Sequence, residues 1–400
     1  MWPMANDRRG FLKGLTSTVN PVRDPFGEIL ESARSAGSEA AFESLISNLK
    51  AEKKYPLLFE ARLMQKRHQL GLPLILTESA SGLDSETQGD YEQATIAAAR
   101  EVGEHFLADG DIIASWPYFR AIGENGSIAG AIEGIPADEA EDAVIEIAFY
   151  EGANPSKGFE MILARYGTCR AITSFSQFPS SDGQEESGRL LVRTLHSELL
   201  ANLKSSVRRR EGAAPDTGSI SELIAGRDWL FEGNTYYIDT SHVSSVVQLS
   251  PRLEDRDSLI LALELTDYGR CLSEMFQYPG EPPFEDLYTD HSFYLKALLG
   301  REVSEGVAHF RKKLGGSDSD PDGTAAAQAL VRLLERIERY DEAIEVGVKY
   351  LKDFPAHELK CLSVPQLCQI SGDYDRLREV SQDQGDLLSF TASVLYDSKS

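Results

Sequence analysis

Apolar side chains recur at three- and four-residue spacing through most of this chain, and alternating runs bounded by turn residues are scarce. That spacing is the period of a helix with one buried face, so the chain is expected to be all-α. Leu30, Ala33, Ala41, Phe42, Leu45 and Leu49 fall on one side of a helix over 28–50. Leu57, Leu58, Ala61, Leu63 and Met64 fall on one side of a second over 55–70, and the two read as an antiparallel pair. Glu78 to Asp90 is polar and carries glycine and serine, which places a boundary or loop near residue 85. Further helices are expected over 91–109, 112–124, 137–151, 156–176, 184–207, 219–231, 240–249, 256–275, 284–299 and 301–314. Breakers separate them, such as Ser180-Ser181-Asp182-Gly183 and the stretch from Glu211 to Gly218. At Tyr236-Tyr237-Ile238 a short strand is a fair alternative.

A longer period is superimposed on the helical one. Tyr340-Asp341-Glu342-Ala343 and Tyr374-Asp375-Arg376-Leu377 stand 34 residues apart. Between Thr324 and Ala356, Leu330 and Leu334 share one face of a first helix, Tyr340 opens a second, Ala343 supplies a small side chain at their crossing, and Pro355 closes the unit. A small side chain lets two helices approach closely, and proline cannot continue a helix. Val102, Gly103 and Phe106, the turn Gly110-Asp111-Ile112, then Ser115 and Phe119 follow the same plan. Over 96–128 and 324–384 the chain therefore resembles the tetratricopeptide repeat family. The resemblance implies a helical-hairpin array, an α-solenoid, used as a scaffold for protein–protein interaction. The last unit departs from the pattern, because Pro365 stands mid-course in its first helix and Leu377 replaces the small residue, so shortened or splayed helices are expected. The organisation read from these signals is a tail over 1–23, helical repeats over 24–180, a central helical region over 181–314 and tetratricopeptide-like repeats over 315–400.

Charge narrows the partners. With 40 basic against 64 acidic residues the formal net charge is −24, which repels a phosphate backbone, so nucleic acid is not expected as a partner. The short basic clusters at Lys50–Lys54 and Arg208–Arg210 read as solvated helix faces. A groove lined with acidic residues favours a basic or helical peptide and salt-sensitive binding. No apolar run approaches the ~18 residues of a membrane span, so a membrane is not expected either. Four cysteines in 400 residues describe no disulfide framework, and a cytoplasmic location fits best. Arg8-Arg9-Gly10-Phe11-Leu12-Lys13 matches the core of a twin-arginine export signal. The stretch behind it, Gly14 to Pro21, is short and polar, which makes export the minor reading.

Several residue groups could carry chemistry. Asp318-Ser319-Asp320-Pro321-Asp322-Gly323 satisfies D-x-D-x-D-G, the first half of a calcium loop. The twelfth position is Ala329 rather than a bidentate glutamate, so an acidic linker that caps the next helix is the competing account. His196, Asp239, His242, Asp290 and His291 cluster where repeat periodicity is weakest. Imidazole and carboxylate are the groups that hold a transition metal or relay protons, although no pair has H-E-x-x-H spacing. His357, Cys361 and Cys368 offer a weaker metal set that Pro365 interrupts. Cys169, among Ile162, Leu163, Ala171 and Ile172, is expected to be buried and structural. Gly123, Gly126, Gly130 and Gly134 fit no phosphate-loop pattern and read as a loop or a short helix. Trp229, Tyr236 and Tyr237 either line a binding groove or belong to the core. The expectation is thus a scaffold without assigned catalysis and without a required cofactor. Its alternative is a metal-dependent enzyme with a His/Asp site in the central region.

Overall fold

The computed structural model describes residues 24–75, 84–179, 183–316, 318, 320–321, 323–352 and 354–397. Arg8, Arg9 and Asp322 lie outside the described residues, as does the Ser180–Asp182 part of one expected loop. Secondary structure among the described residues is entirely helical; Tyr236-Tyr237-Ile238 is an irregular stretch and not a strand. None of these helices is long and apolar enough to cross a membrane. The chain divides into two compact units, one up to Ala131 and one from Ile132 onward.

In the first unit, α1 (Pro25–Ala36), α2 (Ser38–Ala51), α3 (Tyr55–Gln69), α4 (Ser85–Ala108) and α5 (Ile112–Ile122) each pack on the next. The helix expected over 28–50 is divided at Gly37, whose φ of 90° lies where side-chain-bearing residues are strained. The break turns α1 away from the interior. It buries no residue, and Leu30 is 51% exposed. The core instead uses Phe42, Ile46, Tyr55, Leu58, Ala61 and Val102. Where α4 crosses α5, a Cβ on Gly103 would lie 2.6 Å from the Phe119 ring. Ser115 Oγ donates to the Gly103 carbonyl at 2.8 Å beside it. The small residues named by the repeat pattern are thus the ones that set this approach. A further helix, α6 (Gly126–Glu133), holds three of the four glycines of the Gly123–Gly134 series to within one residue of its ends or inside it.

The second unit continues with α7 (Asp142–Ile145), which runs into a π-helical turn at Glu146–Tyr150, then α8 (Pro155–Phe175), α9 (Gln184–Glu211) and α10 (Ile220–Ile224). A 3₁₀ segment over Asp228–Asn234 leads to α11 (Thr240–Leu249), α12 (Arg256–Cys271), α13 (Leu287–Leu298) and α14 (Val303–Lys313). Then follow α15 (Thr324–Arg336), α16 (Tyr340–Tyr350), α17 (Val364–Ser371), α18 (Tyr374–Gln384) and α19 (Leu387–Asp397). The long α9 touches α8, α10, α11 and α12, and its Leu191, Leu195, Leu199 and Leu203 are wholly buried. From α12 onward every helix packs on its successor. Leu330, Leu334 and Ala343 are fully buried between α15 and α16. α17 has only eight residues, because Ser363 caps it with Gln366 and Pro365 sits in its first turn. Leu377, in place of a small residue, is buried in the same core.

Cys169 corrects an expectation. It is exposed, because Gly167 leaves helical geometry (φ 77°, ψ 180°) and shifts the phase of the rest of α8. Thr168, Ala171, Ser174 and Phe175 take the buried face instead.

Candidate functional site

Two loops of the second unit, Ala225–Asp239 between α10 and α11 and Leu272–Asp286 between α12 and α13, carry an aromatic surface. Its foundation is Tyr237. The Tyr237 N–H donates to the hydroxyl of buried Tyr268 at 2.9 Å, its own hydroxyl donates to the Leu230 carbonyl at 3.0 Å, and its carbonyl accepts from Asn202 Nδ2 at 2.8 Å. With Tyr237 held inward, its neighbour Tyr236 is the one left at the surface. Tyr236 is 52% exposed and meets the Phe276 ring edge-on at 5.0 Å. Met275 beside it is 68% exposed, and Tyr278 is partly exposed with its hydroxyl 3.5 Å from Thr240 Oγ1. Trp229 is half-buried under the Arg210 guanidinium, 4.4 Å from the ring centre. Of the three aromatics read from the sequence, Tyr236 is surface, Tyr237 is a structural tie and Trp229 lies between. Met275, Phe276 and Tyr278 were missed, because helical periodicity extends to 275 whereas α12 ends at Cys271. The signal available was the turn that follows, Pro279-Gly280, directly after a dense apolar and aromatic run.

Acidic residues flank this surface in the same two loops: Glu232, Asp239, Glu274 and Glu281 are all exposed. Asp239 also caps α11, its Oδ1 accepting from the Ser241 N–H at 2.9 Å and the Ser241 hydroxyl at 2.6 Å. The Ser241 hydroxyl bond holds the Asp239 carboxyl below its ordinary range, with partial burial opposing.

The histidine and carboxylate set does not assemble into one centre. His196 of α9 bonds Glu264 of α12 at 2.7 Å. The other bonds to Glu264 come from the Ser219 hydroxyl at 2.5 Å and the Ile220 N–H at 2.8 Å. Burial opposes the charge on Glu264, but these three bonds together hold its carboxyl below the usual range. The carboxylate lies between serine and imidazole, so the imidazole bonds Glu264 and not the hydroxyl, and the group acts as a strut joining α9, α10 and α12. Asp290 of α13 forms a second cluster, with His309 Nε2 at 2.6 Å and Lys313 Nζ at 2.9 Å, while Lys313 also meets Glu285 at 2.8 Å. His291 points elsewhere, its Nδ1 donating to the Leu287 carbonyl at 2.7 Å. His242 is half-buried on α11. Among the described residues no three His, Cys, Asp or Glu side chains group as a metal ion requires.

In the acidic loop, Asp320 accepts from the Ala326 N–H at 3.1 Å at the start of α15, whose N-cap, Gly323, has no side-chain cap bond; Asp322, an expected cap, lies outside the described residues. Asp318 is exposed. Sequence analysis missed Glu264, His309 and Lys313, which complete the polar clusters. Nothing in local spacing links residues as far apart as His196 and Glu264.

No protein-family model, curated protein or solved structure matches this chain.

Proposed function

We propose that this chain is a helical-hairpin scaffold that binds a basic polypeptide through the surface formed by Tyr236, Met275, Phe276 and Tyr278. The observation that carries the reading is an exposed aromatic and methionine cluster shared by two loops, one of which Tyr237 fastens to the interior. Large amphipathic side chains held in place contribute binding area at low entropic cost, and Tyr, Phe and Met are enriched where proteins meet. The acidic rim selects the sign of the partner and the rate at which it arrives. Consecutive packing of helices from α12 to α19 and the close α4–α5 crossing support the array.

The test is selection of peptides from a random library on the full chain, compared with a Tyr236→Ala/Met275→Ala double variant that circular dichroism shows to be folded. Enrichment of Lys/Arg-rich peptides with an apolar anchor, weakened by salt and lost in the double variant, is the expected result. Equal enrichment on both proteins, or enrichment of acidic peptides, sinks the reading.

A further inference from the structure

Arg332 and Arg336 stand one turn apart on α15 and Arg256 opens α12; with Glu254, Glu335 and Leu299 they line a cleft of about 450 Å³ within the second unit. Like charges at this helical spacing repel. Carboxylates outnumber basic side chains 64 to 40 in this chain, and other arginines use them: Arg62 pairs with Glu101, Arg100 with Glu124 and Arg227 with Glu211. None of the three cleft arginines makes an ion pair with a described residue. Their bonds go to backbone oxygens instead. Arg336 donates to the carbonyls of Pro251 at 2.8 Å and Leu253 at 2.5 Å, which fixes its guanidinium in place. Arg256 reaches the Leu299 carbonyl only at 3.4 Å. Burial is the main influence drawing Arg336 below its ordinary range; the Arg332 charge adds to it, while Tyr294, Glu254 and Glu335 oppose it. Three cations and two carboxylates, Glu254 and Glu335, therefore share one partly open space, with the cations in excess and none of them held in an ion pair with a described residue.

We propose that this cleft binds a small phosphate monoester, with phosphoryl oxygens bridging Arg332, Arg336 and Arg256. Guanidinium forks match a tetrahedral oxyanion at several edges at once. Glu254 and Glu335 on the same wall accept hydrogen bonds from a protonated phosphoryl oxygen or from hydroxyls of the ester group, and sulfate has no such donor. The volume exceeds what a bare anion fills and lies within the range of small-molecule sites, ~300–1,000 Å³. The site is separate from the aromatic surface and stands whether or not that surface binds a polypeptide.

The experiment is calorimetric titration of the full chain with glycerol 3-phosphate, inorganic phosphate and sulfate at matched ionic strength. One site per chain is expected for glycerol 3-phosphate, with affinity about tenfold or more above that for sulfate or inorganic phosphate. Arg332→Gln and Arg256→Gln, which remove no well-formed internal bond, should each weaken it about tenfold, the value of one charge-assisted contact. Arg209→Gln, on an exposed face of α9, serves as the control and should bind as the wild type. Sulfate binding equally well, unchanged binding in Arg332→Gln, or no heat with any probe overturns the proposal. Inorganic phosphate binding as tightly as the ester would overturn the ester and assign the cleft to the free ion.

Discussion

Gly269 of α12 faces the ring of Tyr288 of α13, and that ring fills the space a side chain at 269 would occupy. Both residues are wholly buried, so the two helices meet at a point where no atom can be added without displacement. Gly269→Ala should therefore lower the unfolding free energy by about 1–3 kcal/mol through overpacking, in spite of the ~1 kcal/mol that alanine gains over glycine in a helix. Urea denaturation checks this, and a midpoint at or above the wild type would refute it. The Tyr288 hydroxyl has no hydrogen-bond partner among the described residues. Tyr288→Phe should leave stability unchanged or raise it by up to about 1 kcal/mol, since the buried group it deletes is unsatisfied.

Glu101 on α4 ties helices of the first unit together at neutral pH. Arg62 grips its carboxylate with Nε at 2.7 Å and Nη2 at 2.9 Å, and Lys50 adds an ion pair at 2.6 Å. The Arg62 hydrogen bonds hold its pKa down at about 2, against an ordinary value of 4.5. A carboxylate with a depressed folded-state pKa contributes stability that is present above its unfolded pKa and lost as pH falls through the folded one. The wild type should accordingly lose stability between pH 4.5 and about 2. Glu101→Gln should be less stable at neutral pH and show a flatter acid limb in pH-resolved melting. Parallel limbs for the two proteins would contradict the assignment.

His291 titrates in the opposite chemical sense but with the same outcome. Burial lowers its pKa from 6.5 to about 4, and the bond to the Leu287 carbonyl opposes this only in part. The folded state keeps the ring neutral while the unfolded chain takes up a proton below pH 6.5, so stability falls as pH drops from 6.5 to about 4. The full effect is on the order of 3 kcal/mol. His291→Leu keeps the volume and cannot protonate. The slope in that window should be smaller in the variant, and an unchanged slope would place the titration elsewhere.

The cysteines should separate by accessibility. Cys169 is exposed after the break at Gly167, whereas Cys368 is fully buried, and burial pushes the thiols of Cys361 and Cys368 up to about 11. Thiolate is the reactive form. Mass-spectrometric mapping with a maleimide at neutral pH should find Cys169 modified first and Cys368 only after unfolding. Early modification of Cys368 would show that the α17 region opens.

Helices whose apolar stripe is long and regular were legible in the sequence. The span expected at 240–249 is α11 to the residue, and the spans at 184–207 and 301–314 match α9 and α14 to within a few residues. The repeat pattern also named Gly103, Ser115 and Ala343, each of which lies buried at a helix contact. Errors fall where one backbone dihedral outweighs periodicity. Gly37 divides one expected helix and Gly167 rephases another. Apolar spacing runs through both glycines and carries no record of φ. The end of α12 was misplaced for a related reason: Met275 continues the helical spacing, while the chain has already turned at Leu272 to present it to solvent.

The sequence by itself determined that the described residues fold as helices without strands, where most helices lie, and which small residues stand at two of the crossings. Those properties follow from interactions over three or four residues, which spacing records directly. Tertiary structure alone decided that Glu264 meets His196 and Ser219, that Asp290 meets His309 and Lys313, and that Arg256 joins Arg332 and Arg336 in one cleft. Each of these depends on how helices distant in the chain are brought side by side, and no local period encodes which polar groups will then meet.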